Sequence, residues 1–169
     1  LYCKPFSLGA DISIQAATKY PAGHSDILIG TITVNNDDDW QTLHAGARAL
    51  GMYASPDDCW LTLRGMRTMA VRLQTQMEAA MQVAHWLRKR PEVAQVLHPG
   101  LPGAPGHEIW RRDFTGACSL FGVEFKPEFS AEASHAFCEA LQLFGIGASW
   151  GGYESLAVPT TGFITRTAG

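Results

Sequence analysis

A helical stripe of apolar residues is the feature of this sequence that most constrains its fold. The stripe follows Ser55-Pro56-Asp57-Asp58, a typical helix start, and ends before Pro91. Its members recur at steps of three or four residues: Trp60, Leu63, Met66, Ala70, Leu73, Met77, Ala80, Ala84 and Leu87. The spacing predicts one continuous helix of roughly 30 residues, which is a rod of about 45 Å. Because such a rod is long for a small domain, we expect it to connect two domains or to form an oligomer contact.

Short strand and helix patterns lie on both sides of the stripe. The predicted elements are strands at 10–16, 27–34, 93–97 and 119–125 and helices at 38–50 and 130–144. Residues 98–107 repeat Pro-Gly and predict a rigid loop, and a glycine turn follows residues 145–150. The order predicts an α/β or α+β chain with a boundary near Asp57, so that residues 1–57 and 58–169 form two units.

The charge and cysteine content argue against several classes of protein. The formal net charge is −3, so we expect no basic surface for nucleic acid. No uninterrupted apolar run is long enough to span a bilayer. The four cysteines contain no CxxC pair, and the six histidines lack metal-ligand spacing. We therefore expect a cytoplasmic protein with reduced thiols, without a metal site and without nucleic-acid or membrane partners.

Lys19 is the candidate catalytic residue on chemical grounds. It is one of four lysines, and it lies where a predicted strand gives way to a loop containing Pro21, Gly23 and His24. A rigid element would hold its backbone while polar loop atoms face the amine. Covalent catalysis by lysine needs a deprotonated amine, which partial burial favours. The placement makes Lys19 a candidate nucleophile, although an ordinary surface lysine at a strand end would look the same.

Three stretches of the sequence resemble one family of enzymes. Residues 11–25 (DISIQAATKYPAGHS) are similar to the cofactor-attachment signature of the Cys/Met-metabolism family of pyridoxal-phosphate enzymes, which have fold type I. Residues 63–68 (LRGMRT) resemble the start of the family's inter-domain helix, and residues 149–155 (SWGGYES) resemble its substrate loop. Further similarity at His98-Pro99 extends the resemblance through most of the chain.

The resemblance implies a fold and a division of the chain. Residues 1–57 would end a large cofactor-binding domain built on a mostly parallel sheet. The long helix would join that domain to a smaller α+β domain within residues 58–169. The chain would thus be a C-terminal portion of an α/β enzyme.

The resemblance also implies roles for four residues. Lys19 would hold pyridoxal phosphate as a Schiff base and move the substrate's α-proton, and Thr18 would bind the cofactor phosphate. Ser149 would lie near the Lys19 amine and the substrate carboxylate, and Trp150 would line the substrate pocket. Ala16 departs from the family pattern, because many relatives carry a phosphate-binding serine there.

Two aromatic residues indicate which reaction the resemblance implies. Trp150 and Tyr153 resemble the β-eliminating members, whereas γ-cleaving and γ-replacing members more often carry smaller aliphatic residues there. The implied reaction is β-elimination of L-cystathionine, a sulfur amino acid, to homocysteine, pyruvate and ammonia in methionine biosynthesis. A γ-lyase or γ-synthase stays open as an alternative, as does a non-catalytic fragment that serves assembly. A homotetramer built from two dimers is also implied.

The ends of the chain predict that it is part of a longer polypeptide. Leu1 is not an initiator methionine, and Gly169 ends a segment rich in Thr and Gly. The family's site also uses an aspartate at the pyridine nitrogen and an arginine at the substrate carboxylate, which the resemblance places in segments outside this chain. We therefore expect a competent site only together with those segments, and no thiol release by these 169 residues alone.

Overall fold

The computed structural model describes residues 1–161 as an α/β arrangement of short strands and five helices. In chain order, after a 3-10 helix at Pro5–Leu8, the elements are β1 (Ile12–Gln15), β2 (Thr31–Val34), α1 (Asp37–Ala49), α2 (Pro56–Met66), α3 (Met69–Leu87), β3 (Val93–Leu97), α4 (His107–Asp113), β4 (Gly122–Phe125), α5 (Ala131–Glu139), β5 (Gly145–Ile146) and β6 (Leu156–Ala157). The end of the predicted second unit, residues 162–169, lies outside the described residues.

The long apolar stripe forms two helices, so the prediction of one continuous helix was wrong. Helix α2 ends at Met66 and α3 begins at Met69. At the break, the Gly65 carbonyl accepts hydrogen bonds from the Thr68 amide at 3.1 Å, from Thr68 Oγ1 at 3.2 Å and from Arg72 Nη2 at 2.8 Å. In an uninterrupted helix this carbonyl would instead bond the amide four residues later. Side-chain donors therefore end α2, and apolar spacing does not report them.

The two halves of the stripe also differ in burial. Trp60 and Leu63 on α2 are each 61% exposed, whereas four residues of α3 are buried: Leu73, Ala80, Ala84 and Leu87. The end of α3 packs on the β3–β4 pair in a core that contains Ala84, Leu87, Val93, Val96 and Leu101. Burial of each large side chain contributes about 1.5–3 kcal/mol. The core of the described residues thus anchors α3 and leaves the apolar side of α2 open.

The strand pairs among residues 1–161 differ from the mostly parallel sheet that we expected. β1 pairs with β2 and β3 with β4, both antiparallel, and only the two-residue strands β5 and β6 pair in parallel. Residues 16–30, between β1 and β2, contain no helix that could carry the chain across a sheet. The chain therefore turns back beside β1, which produces an antiparallel pair.

Several element boundaries differ from those that the sequence predicts. The strand at 93–97 and the first helix are confirmed, the latter within one residue, with Asn36 Oδ1 accepting from the Asp39 amide as its cap. The predicted strand at 27–34 begins only at Thr31, because the backbone of Ile29 pairs with Thr18 instead. Helix α4 was missed, and α5 ends five residues earlier than its pattern indicates.

Candidate active site

Lys19 lies on a tight turn that follows β1, which we call the lysine turn (residues 16–25). The Gly23 amide donates to the Lys19 carbonyl at 2.8 Å, and the Ala22 amide donates to the Ala17 carbonyl at 2.9 Å. Ala17, Ala22 and Gly23 are buried, whereas Lys19 is half-buried. The turn therefore fixes the lysine backbone while its side chain stays accessible.

The lysine turn contacts a loop that we call the glycine loop (residues 149–154). Lys19 Nζ donates a hydrogen bond of 3.0 Å to Ser149 Oγ, across 130 positions of sequence. The same Nζ lies 4.5 Å from the centroid of the Trp150 ring, within the range of a cation–π contact. The structure thus brings together Lys19, Ser149 and Trp150, which the sequence had singled out from two distant segments.

Glycine makes this close approach of the two loops possible. Gly151 has φ +79°, and a β-carbon there would lie 2.7 Å from the Tyr20 amide nitrogen. A β-carbon at Gly152 would overlap Ser25 Oγ. A side chain at either glycine would therefore push the glycine loop away from the lysine turn.

A hydrogen bond between Ser25 and Glu154 joins the far ends of the two loops. Ser25 Oγ donates to Glu154 Oε2 at 2.7 Å. This bond is the main reason that the pKa of the Glu154 carboxyl lies below its ordinary value, and bonds from its own backbone amide and from Tyr153 act in the same direction. A carboxylate with a lowered pKa adds stability above its ordinary pKa, and the gain is lost as the pH falls through the lowered value.

We predict that Ser25→Ala raises the pKa of Glu154 toward its ordinary value, because the principal donor is removed. Carboxyl chemical shifts followed by NMR over a pH series would measure the change. Ser130→Ala is a reciprocal control, since Ser130 lowers the pKa of Glu132 in the same way. Each variant should raise only its own glutamate. An unchanged Glu154 titration in Ser25→Ala would contradict the assignment.

Thr18 uses its hydroxyl within the protein. Thr18 Oγ1 donates to the Ile29 carbonyl at 3.1 Å and accepts from the Ile29 amide at 2.8 Å. A hydroxyl has one hydrogen to donate, so binding a phosphate oxygen would require Thr18 to release the Ile29 carbonyl. The phosphate role of Thr18 therefore stays a prediction, and the observed role of its hydroxyl is to hold the chain that leads into β2.

A cleft of about 950 Å³ opens beside Lys19 and Trp150. Its walls include polar side chains that sequence reasoning missed, namely Gln15, Thr31 and Thr33. The volume is within the range of sites that hold small molecules or cofactors. A half-buried amine at a cleft of this size fits an aldehyde cofactor, because the amine can form a covalent bond to it while polar side chains face its substituents. Alternation along β2 could have indicated Thr31 and Thr33, since every second residue of a strand shares a face.

Tyr20 links the lysine turn to the segment after α4, a role that sequence reasoning also missed. Its hydroxyl shares a hydrogen bond of 3.0 Å with Ser119 Oγ and accepts from the Ser119 amide at 3.2 Å. Burial raises the pKa of Tyr20, which keeps the phenol neutral. Lys19 is therefore flanked by anchored residues on both sides, Thr18 on Ile29 and Tyr20 on Ser119.

Two other kinds of feature are absent from residues 1–161. No cluster of three or more His, Cys, Asp or Glu side chains in this range is placed to hold a metal ion. Nor does any helix in the described range combine the length and apolar character needed to cross a membrane.

His24 contacts the lysine turn to which it belongs. Its Nδ1 lies 2.7 Å from the Ala22 carbonyl oxygen, so the imidazole hydrogen-bonds to the backbone of the turn.

Comparison with known proteins places these features in a family. The sequence profile described as "Cys/Met metabolism PLP-dependent enzyme" matches residues 1–165. The chain is 46% identical over 153 residues to cystathionine beta-lyase MetC of Escherichia coli, covering 90% of this chain and 38% of that protein. It is 41% identical over 154 residues to cystathionine gamma-lyase of Mus musculus, covering 91% of this chain and 38% of that protein.

The fold is similar to that of a solved member of the same group. Cystathionine gamma synthase from Xanthomonas oryzae pv. oryzae matches with a TM-score of 0.89 and 36% identity, over 96% of this chain and 41% of that chain. The chain thus spans about two fifths of the length of the proteins that it matches. With a family profile that covers nearly the whole sequence, the chain belongs to the Cys/Met metabolism family of pyridoxal-phosphate-dependent enzymes.

Proposed function

We propose that the polypeptide carrying this chain is a pyridoxal-phosphate-dependent carbon–sulfur lyase that cleaves L-cystathionine by β-elimination. The observation that carries the proposal is the position of Lys19 Nζ, 3.0 Å from Ser149 Oγ and 4.5 Å from the Trp150 ring centroid. The similarity to cystathionine beta-lyase MetC of Escherichia coli supports the choice of substrate and reaction.

In this proposal Lys19 has two tasks. Its amine would hold the cofactor covalently at the cleft, where Gln15, Thr31 and Thr33 would be available to the cofactor's polar substituents. When bound, the cofactor supplies an electron sink for the substrate's α-carbon. With the substrate amine in its place on the cofactor, the freed Lys19 Nζ would accept the substrate's α-proton, and the substrate would lose its thiolate from the β-carbon. The lysine therefore acts first as a nucleophile and then as a base.

Ser149 and Trp150 control the direction of the Lys19 amine. The Ser149 oxygen accepts from Nζ, which orients the nitrogen toward the cleft, and the indole face restricts where the amine can swing. A reacting group that is held in one direction loses less entropy on the way to the transition state. Trp150 also lines the cleft beside the amine.

The Ser149→Ala variant tests this orientation. We predict that kcat falls by about tenfold with a smaller change in KM, because a hydrogen bond to a charged or charging group contributes about 1.5–3 kcal/mol. The measurement is steady-state release of thiol from cystathionine by the full polypeptide. Ser7→Ala, at an exposed position in the 3-10 helix and away from the cleft, is a matched control that should leave kcat unchanged. Equal kcat values for Ser149→Ala and the unaltered enzyme would remove Ser149 from the mechanism.

Borohydride reduction followed by peptide mass spectrometry tests the proposal as a whole. The full polypeptide loaded with cofactor should carry a phosphopyridoxyl group on Lys19. A separate, unreduced sample of the same loaded polypeptide, incubated with cystathionine, should yield pyruvate, the product of β-elimination. A label on another lysine, or no label, would refute the assignment of Lys19.

γ-Elimination is the second candidate. The 41% identity to cystathionine gamma-lyase of Mus musculus and the fold similarity to a cystathionine gamma synthase support it. The products separate the two candidates, since γ-elimination of cystathionine yields 2-oxobutyrate. Formation of 2-oxobutyrate in place of pyruvate would move the proposal to the γ-lyase.

The proposal includes assembly as a homotetramer in the cytoplasm. The open apolar side of α2, with Trp60 and Leu63 exposed, is the kind of surface that a partner subunit or another segment of the polypeptide covers. All four cysteines are free thiols, which suits a reducing compartment. Sedimentation of the full polypeptide would measure its assembly, and a monomer would contradict this part of the proposal.

A further inference from the structure

Arg72, in the first turn of α3, reaches out of its helix to the lysine turn. Its Nη2 donates to the Tyr20 carbonyl at 3.0 Å and to the Pro21 carbonyl at 3.4 Å. These two carbonyls belong to the residues that immediately follow Lys19. Sequence reasoning did not single out Arg72, because an arginine near a helix start looks like an ordinary surface residue.

The same guanidinium also holds the break between α2 and α3. Nη2 donates to the Gly65 carbonyl at 2.8 Å, and Nε donates to Thr68 Oγ1 at 3.1 Å. Because the guanidinium is planar and its donors have fixed directions, one side chain can set the relative positions of all these acceptors. Arg72 therefore couples the geometry of the helix break to that of the lysine turn.

Two glycines allow Arg72 and α2 to come this close. A β-carbon at Gly65 would lie 2.6 Å from the Pro21 carbonyl oxygen and overlap that of Ala22. A β-carbon at Gly23, where φ is +73°, would overlap the Arg72 guanidinium. The lysine turn is therefore packed between a glycine of α2 and the head of Arg72, and side chains at these positions would separate them.

The charge of Arg72 has an unusual environment. Among residues 1–161 its hydrogen-bond acceptors are carbonyl and hydroxyl oxygens, and the one ion pair in this range joins Arg112 to Asp113 instead. Nη1 is buried without an acceptor among the described residues, and burial lowers the pKa of Arg72. Partly burying a cation against neutral dipoles costs free energy that a methionine or leucine would not cost. The polar contacts of this arginine are therefore better explained by the positions in which they hold the Tyr20, Pro21 and Gly65 carbonyls than by a contribution to the folding stability of the protein.

We infer that Arg72 is a positioning residue for Lys19, which sets the direction of the amine by tying the Tyr20 and Pro21 carbonyls to the α2–α3 break at Gly65. This inference rests on the proposed function, since Lys19 must be the cofactor-binding lysine. Without the guanidinium, the lysine turn loses its attachment to α3, so its own backbone hydrogen bonds open more often and the amine samples more directions. A reactive group displaced by about 1 Å can lose about 100-fold in rate.

The test compares Arg72→Met with Arg67→Met in the full polypeptide. Arg67 is an exposed arginine at the same helix break and serves as the matched control. The first readout is the rate at which pyridoxal phosphate added to the cofactor-free protein becomes trapped on Lys19 by borohydride. The second is hydrogen–deuterium exchange of the Ala22 and Gly23 amides, which close the lysine turn. The third is the separate effect on kcat and KM.

For Arg72→Met we expect attachment to Lys19 to slow by about tenfold or more, as for the loss of hydrogen bonds to a charged group. Exchange at Ala22 and Gly23 should become faster, and kcat should fall more than KM rises. Arg67→Met should match the unaltered protein in all three readouts. A lower unfolding temperature with unchanged attachment and unchanged exchange would overturn the inference, because it would reveal a purely structural role.

Arg72→Lys keeps the test decisive if the methionine variant does not fold. Lysine retains the charge but lacks the planar fork that reaches three carbonyls, so attachment should be slowed to an intermediate extent. Attachment at the unaltered rate would overturn the inference. Failure of the proposed function has a different signature, because the unaltered enzyme would then carry no label on Lys19.

Discussion

Replacing Lys19 with alanine should abolish covalent attachment of pyridoxal phosphate and lower kcat by at least about 10²–10⁴-fold. The variant removes both the nucleophile that holds the cofactor and the base that takes the α-proton, and no other lysine occupies the contact with Ser149 and Trp150. The measurements are mass spectrometry after borohydride reduction and the rate of pyruvate formation by the full polypeptide.

Two control variants separate charge from nucleophilicity at this position. Lys19→Arg keeps a cation that can contact the Trp150 ring but cannot form the covalent bond, so it should be as inactive as Lys19→Ala. Lys89→Ala, at an exposed position after α3, should behave like the unaltered enzyme. Retention of the covalent cofactor in Lys19→Ala would contradict the assignment of Lys19 as the cofactor-binding lysine.

Replacing Gly65 with alanine is expected to have the largest effect on stability. The added β-carbon would press on the backbone carbonyls of Pro21 and Ala22, which have no flexible end that could move aside. Overpacking of this kind costs about 1–3 kcal/mol. The variant should also displace the lysine turn, so slower cofactor attachment should accompany the loss of stability. The free energy of unfolding from urea titration measures the first effect, and borohydride trapping measures the second.

Gly46→Ala is a control with the opposite expected sign. Gly46 lies inside α1, where an added β-carbon would have no neighbour within 4 Å. Alanine in an open helix interior is favoured over glycine by about 0.5–1 kcal/mol, so this variant should be slightly more stable. If Gly65→Ala were also stabilising, the close packing of α2 against the lysine turn would be disproved.

Much of the local structure could be predicted from the sequence because it depends on local chemistry. The strand predicted at 93–97 is β3, and the acidic residues at 37–39 indicated the start of α1. The motif around Lys19 and the glycine loop identified the family, since these residue types at this spacing are specific. The residue pattern of these two motifs did not predict the orientation of their side chains.

Contacts between distant segments needed the tertiary structure. Nothing local to Thr18 reveals that Ile29 occupies its hydroxyl, and nothing local to α3 reveals that Arg72 reaches the turn after Lys19. The predicted single helix was wrong for the same reason, because the donors that interrupt it at Gly65 include a side chain seven positions away. A polar side chain forms hydrogen bonds with acceptors that the fold places nearby, including acceptors that are distant in the sequence.

The sequence and the tertiary structure determine different features of Lys19 and its surroundings. The sequence by itself determined that Lys19 lies in a turn after a strand and that Ser149 and Trp150 belong to a second motif. Only the tertiary structure decided that Lys19 Nζ lies 3.0 Å from Ser149 Oγ, although the two are 130 positions apart. The physical reason is that periodicity and turn propensity report interactions within a few residues, whereas a site is built from packing and hydrogen bonds between segments that the fold alone makes neighbours.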